Sequence, residues 1–346
     1  MKTSSKFPFG HQYLRHWHVD GSEVGIVIAK AQFARSGSET FRGLPSAPEI
    51  VLEDCFEGDA ANTPLLREQD CAPGKVGTDI QIGAIARTKE HAAMPDWPVR
   101  VDVERRLNYV FHVRGPSLWE PVKDGWKLGE PKPVSEVPIT YSLAYGGSSA
   151  GADDKPIFAS ENPAGLGFTT PERLRQRDPF PAPQIGDLAE FISARAGDPM
   201  TVHGTGPIAK AWLPRRAHAG TFDEIWKQER HPRMPEDYSV RFWNAAPTFL
   251  QCSDPLDGDE LITVSGISSS SHAVCVRLPS LQVYAEFSGE ASETLALTLD
   301  TVQLDLLSDD PADHRMKLIW RGHVSDPARF EAVELHAERV RMVEAV

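Results

Sequence analysis

Residues 97–113, WPVRVDVERRLNYVFHV, carry Val99, Val101 and Val103 at alternate positions, then Leu107, Tyr109, Phe111 and Val113 in the same period. Side chains on a strand point alternately to opposite faces, so each run buries one face of a sheet. Residues 104–106 leave room only for a tight hairpin between them. The same alternation extends outward from this hairpin. Upstream, Ile80, Ile82, Ala84 and Ala86 alternate with polar or small residues, and residues 24–33, VGIVIAKAQF, read as a strand buried on both faces. Ile139, Tyr141 and Leu143 predict a further strand that ends at Gly146-Gly147. Downstream, strands are predicted at 261–264, 273–278 and 283–287, and Leu295, Leu297 and Leu299 begin a pattern that Val302, Leu304 and Leu306 continue. Met316, Leu318 and Trp320 alternate beyond the acidic turn Asp309-Asp310-Pro311, which closes another hairpin. Phe330, Val333, Leu335, Val340 and Val343 predict a terminal helix over 327–345.

The middle of the chain differs. From residue 148 to about 260, prolines and glycines interrupt every candidate element and fix extended or turn conformations. Two short helices are predicted there. One runs to Arg177 after Thr170-Pro171, with Thr as cap and Pro at the first helical position; the other spans 221–230, with acids leading and a base closing. Trp212, Phe222, Trp226, Tyr238, Phe242, Trp243 and Phe249 are too many aromatics for a disordered linker, so this is an ordered coil pinned by aromatic anchors. The expected fold is mainly β. Two sheet-rich regions, sandwich or barrel-like, are joined by a long Pro/Gly-rich ordered coil with a few short helices. The chain reads as one module over 1–346, with subregions 10–147, 148–254 and 255–346.

The charge balance of 36 basic against 49 acidic residues gives −13, and a fold this acidic repels phosphate backbones. Nucleic acid is therefore excluded as an expected partner. Cys55, Cys71, Cys252 and Cys275 form no C-x-x-C pair, which fits a reducing compartment rather than a disulfide scaffold or zinc knuckle. No stretch approaches the ~20 apolar residues of a membrane span, and the N-terminus lacks the apolar core of a secretory signal. The expectation is a cytoplasmic protein with no membrane contact.

Motifs that carry chemistry are few. Gly147-Ser148-Ser149-Ala150-Gly151 matches a nucleophile elbow, but Ala152-Asp153-Asp154-Lys155-Pro156 behind it cannot open the helix that an elbow needs. A Gly/Ser loop closing a hairpin is the adopted reading. His11, His16 and His18 with Asp20 have spacings that fit no zinc pattern, and Gly165-Leu-Gly167 is too short for a dinucleotide fingerprint. No catalytic residue, cofactor or metal site is expected. From 278 to 314 there is no Lys or Arg beyond Leu278, while Glu286, Glu290, Glu293, Asp300, Asp305, Asp309, Asp310 and Asp313 fall inside. On alternating strands these acids would share one solvated face, which serves either solubility or docking. Glu286, Glu290 and Glu293 are the candidate docking acids.

Residues 206–251 carry an ordered series. Trp212-Leu-Pro-Arg215 is followed by Gly220-Thr221-Phe-Asp223-Glu-Ile-Trp226, then Pro232-Arg-Met-Pro235-Glu-Asp237, then Arg241-Phe-Trp-Asn244-Ala-Ala-Pro247. This resembles a bacterial domain-of-unknown-function family tied to type VI secretion. Other features resemble the same family: Lys75-Val-Gly-Thr78-Asp79-Ile80, Ala144-Tyr-Gly146-Gly147, Asn162-Pro163-Ala-Gly165, Leu256-Asp-Gly-Asp-Glu260, and Asp300-Thr301 with Trp320-Arg321. The resemblance covers roughly residues 10–325. One departure is Arg114-Gly-Pro-Ser-Leu-Trp119, where the family has G-D-R-x-W; Pro116 imposes a different turn.

The resemblance implies a chaperone-like adaptor that binds a toxin effector, of the nuclease kind where a basic client is needed, and helps load it onto the spike-tip protein of the secretion apparatus. The motif residues are Gly, Pro, Trp, Asp and Arg, which set turns, fill pockets and bond coil backbone; they are read as structural or as client contacts. The rival readings are a hydrolase using Asp79, Asp223 or Asp237 with a histidine, and a structural baseplate component.

Overall fold

The structure, a computed structural model, describes residues 1–18, 20–151 and 155–339. Its principal strands are β1 (Lys2–Ser5), β2 (Gly10–Trp17), β3 (Glu23–Arg35), β4 (Thr78–Arg87), β5 (Asp96–Val103), β6 (Leu107–Arg114), β7 (Leu261–Ser265), β8 (Ala273–Arg277), β9 (Leu281–Gly289), β10 (Ser292–Leu306), β11 (Arg315–Ser325) and β12 (Phe330–Arg339). Short helices α1 (Pro171–Gln176), α2 (Leu188–Ser193), α3 (Leu213–Arg216) and α4 (Glu224–Glu229) lie between β6 and β7. The fold is mainly β, as the alternation predicts.

The larger sheet runs β1–β12–β9–β10–β11–β3–β2. Its end strands, β1 and β2, are consecutive in the chain and approach one another, so the sheet curls into a nearly closed barrel. β9 covers only the first half of β10. The second half pairs in parallel with β4, Asp79 opposite Thr301 and Ala84 opposite Leu306. The smaller sheet is Ile185–Gly186, β6, β5, β7 and β8, and its β5–β6 hairpin turns where the sequence requires, Val103 opposite Leu107. Strands from the two sheet-rich regions interleave: β3 pairs β11, β4 pairs β10, and β5 pairs β7. One large core follows, in which Ile80 and Ile82 join Val99, Val101, Phe111, Ile262, Val302 and Leu318.

Three expected elements take another form, and α2 and α3 have no counterpart in the sequence expectation. Residues 330–339 form β12 instead of a helix; Val333 and Leu335 are buried in strand period. A register shift opposite Ser288 and Gly289 brings Phe330 into the same buried set, and that local irregularity imitates helical spacing. Val340 and Val343 lie outside the described residues. Tyr141–Leu143 is a 3₁₀ turn, not a strand, because Thr140 caps it with its own hydroxyl. The helix expected at 221–230 starts only at Glu224, since Asp223 takes the cap and accepts from the Trp226 N–H at 2.8 Å. The helix after Thr170 is where the sequence places it, with Thr170 accepting from Arg173 N.

Where the coil crosses the smaller sheet, His203 is buried and stacks almost parallel on Tyr109 and Phe249. Its Nδ1 lies 2.9 Å from the Tyr109 hydroxyl. Burial lowers the pKa of this imidazole, against the opposing pull of Glu190 and Asp187. The unfolded imidazole takes its proton near pH ~6.5, the folded one only below that. Within that window the unfolded chain holds the extra proton, so stability falls as pH falls. Urea midpoints measured downward from neutral pH should drop more steeply for the wild type than for His203→Gln. Equal slopes would mean that His203 titrates as a free imidazole.

Candidate interaction site

Residues that face each other across neighbouring strands share a face, and the register of β3, β11, β10 and β4 separates two. Ala29, Ala31, Met316, Leu318, Trp320, Val302, Leu304, Ile80 and Ile82 belong to the core face. The other face carries an apolar patch of Val24, Ile26, Ile28 and Ile319, packed by Leu14 and Ile50, and a polar stretch beside it. One row across it reads Gln32, Lys317, Gln303 and Gln81, and the next reads Lys30, Ile319, Thr301 and Asp79. Such a face demands either water or partners. Part of it is covered by residues 50–76 and the coil at 205–247, which bring the partners with them.

Asp79, fully buried, accepts from Asn244 Nδ2 at 2.9 Å, from Ala245 N at 2.7 Å and from Ala246 N at 3.3 Å. Lys75 Nζ donates to Asp79 at 2.9 Å and to Glu68 at 2.8 Å. Arg215 donates to Glu68 at 2.9 Å, to the Ile208 carbonyl at 2.8 Å and to the Phe242 carbonyl at 2.9 Å. Asn244 also brackets Val76, accepting from its N–H and donating to its C=O. Beside this set, Arg321 pairs with Asp300 and donates to the Asp70 carbonyl, while the Asp70 carboxylate takes Lys30 Nζ at 2.6 Å. Burial disfavours the Lys75 ammonium, but Asp79, Glu68 and Asp300 outweigh it and hold the pKa above its ordinary value. The cluster is charge-balanced, and each ion is tied to backbone or to a counter-ion. Its work is to latch coil onto sheet.

The structure therefore brings together Lys75, Asp79, Arg215, Asn244, Asp300 and Arg321, which lie far apart in sequence. Thr78 braces the same region, donating to Leu299 O at 2.6 Å and accepting from Leu256 N at 2.9 Å. Trp320 packs edge-on to Phe9 on the core side, and Pro247 is buried at the start of the turn Thr248–Leu250. Trp212 anchors a separate small core with Leu65, Tyr141, Ile208 and Ala209.

Other motif residues form two further groups. Asn162 donates to the carbonyls of Tyr141 and Tyr145, both at 2.9 Å, and its own carbonyl accepts from Gly147 N. Gly146 there has φ +147°, and a Cβ would lie 2.1 Å from Asn162 O, so only glycine fits. Pro163 follows, half-buried. In the third group Asp237 accepts from Thr221 N at 2.9 Å and Oγ1 at 2.7 Å, bonds that hold its carboxylate below the ordinary pKa. Gly220, at φ +82°, packs against the buried Pro235, and the half-buried Trp226 donates to Arg233 O. Arg241 is exposed in the turn Val240–Trp243. Each carboxylate of the hydrolase reading is thus bonded elsewhere, Asp79 to Lys75 and Asn244, Asp223 to the α4 cap, and Asp237 to Thr221.

The elbow sequence forms a strand, Ser148–Ala150, paired with Pro156–Phe158; Ala152, Asp153 and Asp154 lie outside the described residues. The acids of 278–314 do not share a face. Asp300 is buried against Arg321, and Asp309 accepts from Ser269. Glu286 sits opposite Thr294 but Glu293 opposite Phe287, so these two stand on opposite faces of the β9–β10 hairpin. Glu286, Glu290 and Glu293 are all exposed near that hairpin's tip.

The polar face stays open at one end. There a cleft of about 640 Å³ lies over Gln81, Gln303 and Lys317, with Leu44, Leu65, Leu66, Ile139 and Leu307 along its sides. Arg67, Arg315 and Asp305 also line it. Burial lowers the Lys317 pKa, helped by Lys30 and Arg67 and opposed by Asp70 and Asp305. Sequence reasoning missed Lys317, Lys30, Glu68 and Asp70. The available signal was a lysine inside an otherwise apolar strand: Lys30 interrupts VGIVIAKAQF.

A model of a family described as "Uncharacterized protein conserved in bacteria (DUF2169)" matches residues 20–321. No curated protein and no solved structure matches the chain. Among the described residues no helix is long and apolar enough to cross a membrane.

Proposed function

The chain belongs to this bacterial family, and from that premise we propose that it is an adaptor: it binds a toxin of the type VI secretion pathway in the producing cell and helps load it onto the spike. The observation that carries the reading is the use to which the motif residues are put. Lys75, Asp79, Arg215, Asn244, Asp300 and Arg321 spend their polar atoms on holding coil against sheet. A pattern of this kind preserves a surface rather than a reaction centre. The surface so held has apolar side chains to offer. Phe222 and Ile225 on and beside α4 are 54% and 65% exposed, and Phe222 packs edge-on to Trp226, a grouping suited to a protein partner. The link to secretion rests on the ordered motif series at 212–247.

Glu286, Glu290 and Glu293 add an acidic tip that would speed encounter with a basic client such as a nuclease toxin, an effect screened over ~8–10 Å at physiological salt. The test is genetic. Deleting the gene should abolish export of one toxin, encoded beside it, while other toxins of the same apparatus still leave the cell. Re-supplying the wild type or Ser149→Ala should restore export equally. Unchanged export from the deletion strain would refute the adaptor reading, and failure of Ser149→Ala alone would revive a nucleophile.

A further inference from the structure

The cleft above β4, β10 and β11 has the opposite charge character to the molecule around it. The chain carries −13 overall, yet three basic side chains line this cleft against one acid. Lys317 is half-buried on its floor and, among the described residues, makes no hydrogen bond or ion pair, whereas Lys30 on the same face and Lys75 in the covering segment are both ion-paired. Arg67 is exposed at the mouth, its guanidinium bonded, among the described residues, only to the Cys55 sulfur at 3.5 Å. Asp305, the one acid, accepts from Leu307 N at 3.3 Å. A desolvated, unpaired ammonium at the base of a concavity favours a carboxylate.

The remainder of the lining identifies what carries that carboxylate. Leu66 and Leu307 are 58% and 49% exposed at the rim, an apolar edge left open on an otherwise packed sheet. Beneath them Gln303 donates to Gln81 at 3.3 Å, so the floor offers carboxamides, groups that match the donors and acceptors of a peptide backbone. Gly83 keeps β4 low at this point, its nearest neighbours 3.8 Å from where a Cβ would stand. The volume lies within the ~300–1,000 Å³ of ligand sites. We propose that this cleft captures an acidic peptide segment of the client, flanked by apolar residues, with its carboxylate on Lys317 and Arg67. The inference rests on the adaptor reading for the identity of the client.

Random peptides displayed on phage, selected against the intact chain, test it. Peptides retained by the wild type should converge on Asp or Glu beside Leu, Ile or Phe. A synthetic peptide of the selected sequence should bind about tenfold or more weaker to Lys317→Gln, the cost of one charge-assisted bond, and weaker also to Arg67→Gln. Replacing its acid with the amide should abolish the difference between wild type and Lys317→Gln. No acidic–apolar consensus, or equal affinity for all three proteins, would overturn the proposal. Co-purification separates the two claims. A client held equally by wild type and Lys317→Gln retains the adaptor and removes the cleft, whereas a client held by neither removes the adaptor.

Discussion

Asp79→Ala should lower the free energy of unfolding by about 3–5 kcal/mol, the range for removing one partner from a buried ion pair. The substitution leaves Lys75 buried with Glu68 alone, and Glu68 is already shared with Arg215. It also removes the acceptor of the Ala245 and Ala246 N–H groups and of one of the two Asn244 amide hydrogens, all on buried residues. Denaturant titration of wild type and variant measures the loss. Asp79→Asn should recover part of it, because an amide oxygen still accepts from backbone while Lys75 keeps only the carboxylate that it shares with Arg215. A loss under about 1 kcal/mol for Asp79→Ala would contradict the latch, since only a solvated carboxylate is that cheap to remove.

Trp212→Ala should cost a similar ~3–5 kcal/mol, and Trp226→Ala about 1 kcal/mol or less. Both tryptophans belong to the ordered motif series, but they are used differently. Trp212 is 1% exposed and meets Tyr141 edge-on with ring centroids 5.5 Å apart. Its indole N–H has no partner among the described residues, so its contribution is packing, and its removal opens a cavity in a small core with few residues to collapse into it. Trp226 lies half-buried on α4, held by one bond from its Nε1 to Arg233 O at 2.8 Å. Equal losses in the two variants would mean that α4 is as firmly packed as α3.

Period-two alternation made the β class and most strands legible, because burial of one face is written directly into every second residue. The hairpin at 104–106 needed nothing else, and the strand at 24–33 showed instead as a continuous apolar run buried on both faces. The sheet order was not legible, since the parallel pairing of β4 with β10 joins residues more than 200 positions apart and leaves no local mark. Phe330 and Val333 misled because a register irregularity disguises a strand as a helix. For the site, the motif residues were visible as a list, and their convergence was not. Lys75, Arg215 and Asp300 look like surface charges in sequence, and only the fold makes them one buried cluster. Trp212 and Trp226 are indistinguishable in sequence, and so were Glu286 and Glu293, which the β9–β10 register assigns to opposite faces. Lys317 gave no signal, for an isolated lysine in an alternating strand is the ordinary pattern of a solvated face.

An adaptor must hold a client. The decisive measurement is sedimentation of the purified chain mixed with the purified toxin whose export the deletion strain loses, across a range of salt concentrations. A complex of fixed stoichiometry, weakening as salt rises and weakened further in Lys317→Gln, is the predicted result. Two species that sediment independently under all conditions would contradict it.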